Sequence, residues 1–160
     1  MKVIPSSLLD ELAAKAAASP RLRTHHNVHY SAADPVQRYF IVAARDSYFR
    51  PHRHPTKSET ALVLRGKLDV VTFDSTGTVI TRYAMGEGTP GFGYETPLGQ
   101  WHTLVVQSDS AAFFEMKEGP YDPATAVEPA PWAPAEGDAQ ARAYLDWLRT
   151  AAPGMRRRSR

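Results

Sequence analysis

A histidine-rich segment spanning residues 50–66 constrains this chain more than any other stretch. It reads Arg-Pro-His-Arg-His-Pro-Thr-Lys-Ser-Glu-Thr-Ala-Leu-Val-Leu-Arg-Gly. His52 and His54 are two residues apart, so in an extended strand both imidazoles project from the same face. Glu59 follows after a gap long enough for a tight turn, which would return a carboxylate to the same place. Two imidazoles and a carboxylate that converge on one point form a ligand set for a divalent first-row metal.

A second segment, about forty residues downstream, supplies another imidazole. It contains Gly91, Pro97, Gly99 and His102 in the spacing G-x5-P-x-G-x2-H. Pro97 and Gly99 are typical of a turn, and His102 follows near the start of a new strand as a candidate fourth ligand. The alternative interpretation is that the histidines of both segments pair with backbone groups in a barrel core. Three histidines and one glutamate in this order favour the metal site.

Together, the patterns H-x-H-x4-E-x6-G and G-x5-P-x-G-x2-H resemble the two motifs of the cupin superfamily. Asp46 and Val106 depart from that pattern, which usually has glycine and asparagine at these places, but neither position ligates the metal in the family. The resemblance implies a double-stranded β-helix (a jelly-roll barrel) and one divalent metal ion, held by His52, His54, Glu59 and His102.

Four stretches narrow the resemblance further: residues 27–29, 34–38, 48–54 and 114–123. They are similar to the WbuC family, cupin-fold metalloproteins often encoded among genes for surface-polysaccharide (O-antigen) synthesis. The similarity runs from about residue 4 to residue 134. It implies a fold, a metal and a carbohydrate context, but no settled reaction.

Length and composition set the outer limits. A chain of 160 residues is large enough for one core and short for two domains. The absence of cysteine excludes disulfides, thiolate zinc sites and cysteine nucleophiles. No apolar run approaches the ~20 residues of a membrane span, and no signal-peptide pattern follows Met1. We therefore expect a cytoplasmic protein without a membrane partner.

The net charge of +2 is concentrated at one end of the chain. We find no nucleic-acid motif, and arginines without interleaved aromatic residues are typical of a frayed, solvated tail. The sequence leaves open whether the chain forms a homodimer, as cupins often do. Four positive charges belong to Arg156, Arg157, Arg158 and Arg160, and subtracting them leaves −2 for the remainder.

The hydrophobic pattern predicts an all-β, double-sheet jelly roll with an N-terminal and a C-terminal helix. This agrees with the cupin barrel that the resemblance implies. The first helix is expected over residues 6–18, capped by Ser7 with Asp10, and residues 21–33 are expected to form an irregular loop. The second helix is expected over residues 136–152, with Ala141, Tyr144, Leu145 and Leu148 on its buried face. Strands are expected at 36–44, 48–54, 60–64, 67–73, 79–84, 101–107 and 111–117, the last two as a hairpin.

These elements divide one domain into three parts. Residues 1–34 form an N-terminal helix and arm, and residues 35–118 form the barrel. Residues 119–160 comprise a proline-rich strap (119–134), a helix and the tail. We expect the strap to lie over the barrel with Tyr121 and Trp132 as anchors.

Further polar residues are candidates for a pocket beside the metal. The alternative for each is a solvent-facing charge on the outer sheet. Glu115 and Lys117, two apart on the closing strand, are the predicted catalytic pair, with Glu115 as general acid or base. The predicted substrate-binding residues are Gln37, Arg38, Arg50, which precedes His52 by two positions, and Tyr94.

Four protein ligands leave two positions of an octahedral ion open, which suits Fe, Mn, Ni, Co or Zn. Three functions remain open on this basis. The first is a metalloenzyme acting on a sugar or sugar nucleotide as an isomerase or epimerase. The second is a non-haem iron dioxygenase. The third is a non-catalytic module that binds a carbohydrate or metabolite and regulates a partner.

Overall fold

The structure is a computed structural model that describes residues 1–157. That part of the chain forms two helices, α1 (Ser7–Ala18) and α2 (Ala141–Leu148). Its strands are β1 (Arg23–Asn27), β2 (Val36–Ala44), β3 (His52–Arg53), β4 (Glu59–Arg65), β5 (Lys67–Phe73), β6 (Val79–Gly86), β7 (Gly93–Thr96), β8 (Trp101–Val106), β9 (Ser110–Glu118) and β10 (Glu128–Pro129).

The strands pair antiparallel in two five-stranded sheets. One sheet has the order β1-β2-β9-β4-β7, and the other has the order β10-β3-β8-β5-β6. Consecutive strands alternate between the sheets at several points, as in a jelly roll. The predicted all-β cupin barrel with two flanking helices is confirmed.

Three apolar clusters hold these layers together. Between the sheets lie Ala43, Ala61, Leu68, Val70, Leu104, Val106, Ala111 and Phe113. Helix α1 covers the outer face of the first sheet, where Leu12 and Ala16 pack on Val42 and Ala112. Helix α2 and the strap cover the outer face of the second sheet, where Tyr144, Leu145 and Leu148 join Val71, Phe73 and Val105. The predicted buried face of the second helix is thus confirmed.

Several sequence predictions of local structure are wrong. Residues 21–33 contain an edge strand, β1, whose polar residues face an open cavity and so lack apolar alternation. The expected hairpin of 101–107 with 111–117 does not form, because β8 pairs with β3 and β5 while β9 pairs with β2 and β4. The short link between β8 and β9 crosses from one sheet to the other, and a hairpin turn has the same local signal. Strand β7 was not predicted.

Two predicted elements are shorter than expected. Only His52 and Arg53 of the predicted strand 48–54 form ladder hydrogen bonds, and α2 covers eight residues of the predicted 136–152. Ser7 does not cap α1 with Asp10, since no side-chain cap hydrogen bond is present. Asp10 instead accepts a hydrogen bond of 2.5 Å from Arg65 on β4.

The strap and the tail differ in part from the prediction. Trp132 packs against the outer apolar cluster as expected, whereas Tyr121 is 45% exposed and is not an anchor. The backbone of Arg156 forms an isolated antiparallel β-bridge with Thr78, and the guanidinium of Arg157 lies over the ring of Tyr144. These two arginines are therefore not frayed. The other two arginines of the predicted basic tail, Arg158 and Arg160, lie outside the described residues. Within residues 1–157, neither helix combines the length and apolar character needed to cross a membrane.

Candidate metal centre

Three histidines converge inside one end of the barrel. His52 on β3 is the register partner of His102 on β8, and His54 follows at the end of β3. Their candidate ligand atoms all lie within 4.8 Å of one another. His102 and His54 are almost fully buried, 1% and 3% exposed. The spacing of the two sequence motifs therefore brings these imidazoles together as predicted.

Backbone carbonyls orient all three rings. The Nδ1 atoms donate to the carbonyl oxygens of Arg50 (2.9 Å, from His52), Ala126 (2.7 Å, from His54) and Gln100 (2.9 Å, from His102). A carbonyl oxygen only accepts, so Nδ1 carries the proton and Nε2 keeps a free lone pair in the neutral ring. Metal-ligating histidines are typically held in this way by a group behind the ring.

The turn before β8 and the strap both contribute to this arrangement. Gly99, at φ +72°, donates its N–H to the carbonyl oxygen of His54 at 2.9 Å. Ala126, which fixes the ring of His54, belongs to the strap. Ala130 of the same strap donates its N–H to the carbonyl oxygen of Pro51 at 2.8 Å. The strap therefore supports the histidine cluster and also covers the outer face of the second sheet.

Glu59 lies beside two of the three imidazoles. Its Oε2 is 3.0 Å from Nε2 of His54, and its Oε1 is 3.9 Å from Nε2 of His102. Oε2 also accepts a hydrogen bond of 3.1 Å from Lys117. Burial opposes ionisation of Glu59, but His54 and Lys117 outweigh that effect and lower its pKa. A carboxylate is therefore held ionised next to the imidazoles.

The donor set fits a divalent transition metal. Nε2 of His54 is buried and lies 3.0 Å from Oε2 of Glu59; burial lowers the pKa of His54, but the carboxylate of Glu59 outweighs burial and raises it. Burial, followed by the neighbouring His102, lowers the pKa of His52 to about 3. Burial also lowers the pKa of His102. Both rings are therefore neutral near pH 7, which is the form that binds metal.

A chain of alternating charges continues from Glu59 along the inner face of the first sheet. Lys117 on β9 is the register partner of both Glu59 and Gln37. Its Nζ lies 2.8 Å from Oε1 of Glu115 and 3.1 Å from Oε2 of Glu59. Burial opposes the charge of Lys117, but the two carboxylates outweigh it and raise its pKa. The predicted pair Glu115 and Lys117 thus lies beside the cluster.

Glu115 is the second buried carboxyl group of this chain of charges. It is 8% exposed, and burial together with the charge of Glu59 raises its pKa to about 7. Lys117 opposes that shift but does not cancel it. Glu115 and Glu59 therefore differ in protonation although they share one lysine.

Two tyrosines flank Glu115 across the sheet. Tyr94 and Glu115 both pair with Ala61 on β4, and Tyr39 on β2 pairs with Glu115. The hydroxyl of Tyr94 is buried without a hydrogen-bond partner. Burial, then Glu59 and Glu115, raise its pKa, so it remains a neutral hydroxyl. Tyr94 was predicted, but Tyr39 was missed because a tyrosine in a strand is ordinarily a packing residue.

The other predicted substrate-binding residues differ in position. Gln37 is buried inside, where its amide nitrogen donates to the carbonyl oxygen of Asp34 (2.8 Å) and its oxygen accepts from Tyr39 (3.3 Å). Arg38 points to the outer face of the sheet, which also carries Phe40. There its Nη2 lies 4.0 Å from Oδ2 of Asp34. Consecutive strand residues alternate between faces, so Gln37 and Arg38 could not both reach the interior. The prediction that Arg38 lines the pocket is wrong.

Two adjoining cavities open beside the cluster. The larger, about 620 Å³, is bounded by Glu115, Lys117 and Tyr39, and the smaller, about 350 Å³, by Arg50 and His52. Arg21, Arg23, Phe49 and Val127 line both cavities.

The larger cavity also has walls that the sequence prediction missed. Arg23, His25 and Asn27 alternate along the edge strand β1 and line it, as does His29. The only sequence signal for these was the WbuC-like stretch 27–29.

Comparisons with known proteins agree with this fold. A family model described as "Domain of unknown function (DUF6016)" matches residues 4–85. A search of curated proteins found no match.

Solved structures of similar fold include KdgF from Halomonas sp., with 14% identity, a TM-score of 0.50, and coverage of 65% of this chain and 84% of that chain. Oxalate oxidase in complex with the substrate analogue glycolate has 15% identity, a TM-score of 0.53, and coverage of 83% and 68%. The lyase DddQ from Ruegeria pomeroyi DSS-3, described as a DMSP lyase, has 17% identity, a TM-score of 0.51, and coverage of 66% and 50%.

At these identities the likeness shows the cupin fold alone. The resemblance to the WbuC family is not confirmed and stays a prediction.

Proposed function

We propose that this chain, which belongs to the DUF6016 family, is a metal-dependent enzyme that moves a proton on a carbohydrate substrate. The observation that carries the proposal is the position of Glu115. This buried carboxyl lines the larger cavity and is linked to the histidine cluster through Lys117 and Glu59. The reaction class is that of a sugar isomerase or epimerase.

In this proposal His52, His54, Glu59 and His102 hold one divalent ion. The assignment is supported by the three Nδ1 atoms, each bound to a backbone carbonyl oxygen so that Nε2 is left to ligate, and by the proximity of the three rings. A divalent ion bound there would polarise a carbonyl or hydroxyl oxygen of the substrate as a Lewis acid. Glu59 would supply the carboxylate ligand, and Lys117 at 3.1 Å holds that carboxylate beside the histidines.

Glu115 takes the role of general acid or base. Proton transfer is most efficient when the catalytic pKa lies near the working pH, and the pKa of Glu115 is raised to about 7. Lys117, at 2.8 Å, orients the carboxyl group and stabilises its ionised form. The neighbouring Glu59 is held ionised, so the two carboxylates are suited to different tasks.

The carbohydrate class is supported by the motifs that resemble the WbuC family and by the lining of the larger cavity. Asn27, Ser31, Tyr39 and Tyr121 offer hydroxyl and amide groups to a ligand with many hydroxyls. A role in surface-polysaccharide synthesis, a cytoplasmic location and a homodimer are further parts of this hypothesis.

Hydrogen exchange with solvent tests the proposal. Sugars, sugar phosphates and sugar nucleotides that raise the melting temperature of the purified protein are incubated with it in D₂O and followed by NMR. We expect metal-dependent incorporation of deuterium at one carbon of the substrate. Glu115→Gln should slow it by about 10²–10⁴-fold. Glu118→Gln, an exposed change at the end of the same strand, is the matched control.

Three outcomes contradict the proposal. Tight ligand binding without exchange or turnover indicates the non-catalytic module. Consumption of oxygen with Fe(II) and the same ligand indicates a dioxygenase, because isomerisation uses no oxygen. Equal exchange rates in wild type and Glu115→Gln would remove Glu115 from the reaction.

A further inference from the structure

The cations that line the larger cavity are all paired with carboxylates. Arg21 and Arg23 share Glu136, at 2.7 Å and 2.5 Å, and Lys117 bridges Glu59 and Glu115. A charged group of the substrate would have to displace one of these pairs. Charge balance therefore makes the larger cavity suited to the uncharged, hydroxyl-bearing part of a ligand.

Arg21, Arg23 and their shared partner Glu136 also line the smaller cavity, but this cavity contains in addition Arg50, a cation without a carboxylate partner. Arg50 makes no ion pair with any residue in the range 1–157 that the structure describes. Its Nη2 donates to the carbonyl oxygen of Ala130 at 2.8 Å, and its Nε is buried with no hydrogen-bond partner. One neutral carbonyl leaves most of the five donors and the whole charge of the guanidinium uncompensated.

Arg50 also lies next to the candidate metal ligands. His52 lines the same cavity, and its Nδ1 donates to the carbonyl oxygen of Arg50 at 2.9 Å. Four wall residues common to both cavities place the two spaces side by side. A ligand that fills both would have its charged end at Arg50 and its uncharged end near Glu115.

We propose that the smaller cavity is an oxyanion subsite in which Arg50 binds the single carboxylate or phosphate group of the substrate. The inference rests on the proposed function at one point: it assumes that the larger cavity binds the sugar ring. It narrows the substrate class to acidic sugars or sugar phosphates with one charged group.

A matched ligand series tests the subsite. Glucose, glucuronate and glucose 6-phosphate share one ring and differ at one carbon, and acetate and inorganic phosphate serve as fragments. Each is titrated by NMR into the full chain as purified and after chelator treatment, so that binding to metal is separated from binding to Arg50. The relative affinities of the carboxylates and phosphates identify which oxyanion the subsite prefers.

Variants assign the effect to Arg50. Arg50→Gln should weaken oxyanion binding by about 10–100-fold, since a charge-assisted, forked contact is lost. Arg50→Lys keeps the charge and should recover binding to within about 5-fold of wild type. Arg45→Gln, which changes an exposed arginine that lines neither cavity, should alter binding by less than about 3-fold. Melting temperatures check that each variant is folded.

The proposal is overturned if Arg50→Gln binds every oxyanion as well as wild type does, or if no oxyanion binds saturably. Equal affinity for glucose and its charged relatives would also contradict it. Failure of the enzyme proposal gives a different result: oxyanions would bind through Arg50, yet no ligand would exchange hydrogen in wild type. Exchange that depends on Glu115 but is unaffected by Arg50→Gln would refute the subsite alone.

Discussion

The two ends of the barrel interior have opposite characters, although the same strands build both. On the inner face of β9, Phe113 is fully buried among apolar side chains, whereas Glu115 and Lys117 follow at alternate positions in a charged network. On β8, His102 precedes Leu104 on the same face. One end of each strand thus serves stability, and the other end serves the candidate site.

This division explains how the barrel tolerates buried charges. A fully buried apolar end supplies the favourable burial that a domain of this size needs. Buried ionic groups at the other end add little net stability, because desolvation offsets their attraction. The fold should therefore persist when the candidate metal site is emptied.

The largest expected effect on stability comes from the apolar end. Phe113→Ala should lower the free energy of unfolding by about 3–5 kcal/mol, because it leaves a cavity between the sheets. Glu115→Gln, two residues further on the same face, should lower it by less than about 1.5 kcal/mol. Urea unfolding of metal-free protein measures both. Similar losses in the two variants would remove the distinction between the ends.

A smaller effect is expected where the polar end also contributes to folding. Lys117→Met leaves Glu59 and Glu115 without their shared cation and should cost about 3 kcal/mol, the low end for a broken buried pair, because Glu115 can take up a proton. Lys67→Met, an exposed lysine at the start of β5, should change stability by less than about 0.5 kcal/mol. If both variants unfold at the same urea concentration, Lys117 has no structural role.

The smallest effect is expected outside both ends, on the solvent side of α1. Asp10→Ala removes the ion pair with Arg65, in which the side chain of Asp10 is 70% exposed and that of Arg65 is 46% exposed. Such pairs contribute at most about 1 kcal/mol. A larger loss in the same unfolding assay would mean that α1 docking, rather than the interior, limits stability.

The difference between the apolar and polar ends also explains which features could be predicted from the sequence. Residues such as Phe113 and Leu104 alternate with period two in apolar strands, so the barrel could be predicted. The spacing within the first motif puts His52 and His54 on one face, and the resemblance of both motifs to the cupin pattern implied that His102 joins them. Both signals lie within short stretches of sequence.

What could not be predicted depends on pairing between distant strands. The placement of β9 between β2 and β4 brings Lys117 to Glu59, whereas the sequence suggested a hairpin with β8. The polar strand β1 has no apolar alternation, so the cavity wall of Arg23, His25 and Asn27 looked like a loop. Face alternation alone would have excluded Arg38 once Gln37 was placed inside.

Metal content tests the central claim, that three convergent imidazoles at the polar end form a metal centre. Wild type, His54→Ala and His26→Ala are purified without added metal, and their metals are quantified by elemental analysis. His26 lies on β1 and is not part of the cluster, so its variant is the control.

The account predicts about one divalent transition-metal ion per chain in wild type and in His26→Ala, and little metal in His54→Ala. Metal-free samples of all three should unfold at similar urea concentrations. A fully loaded His54→Ala protein would contradict the assignment of the metal centre.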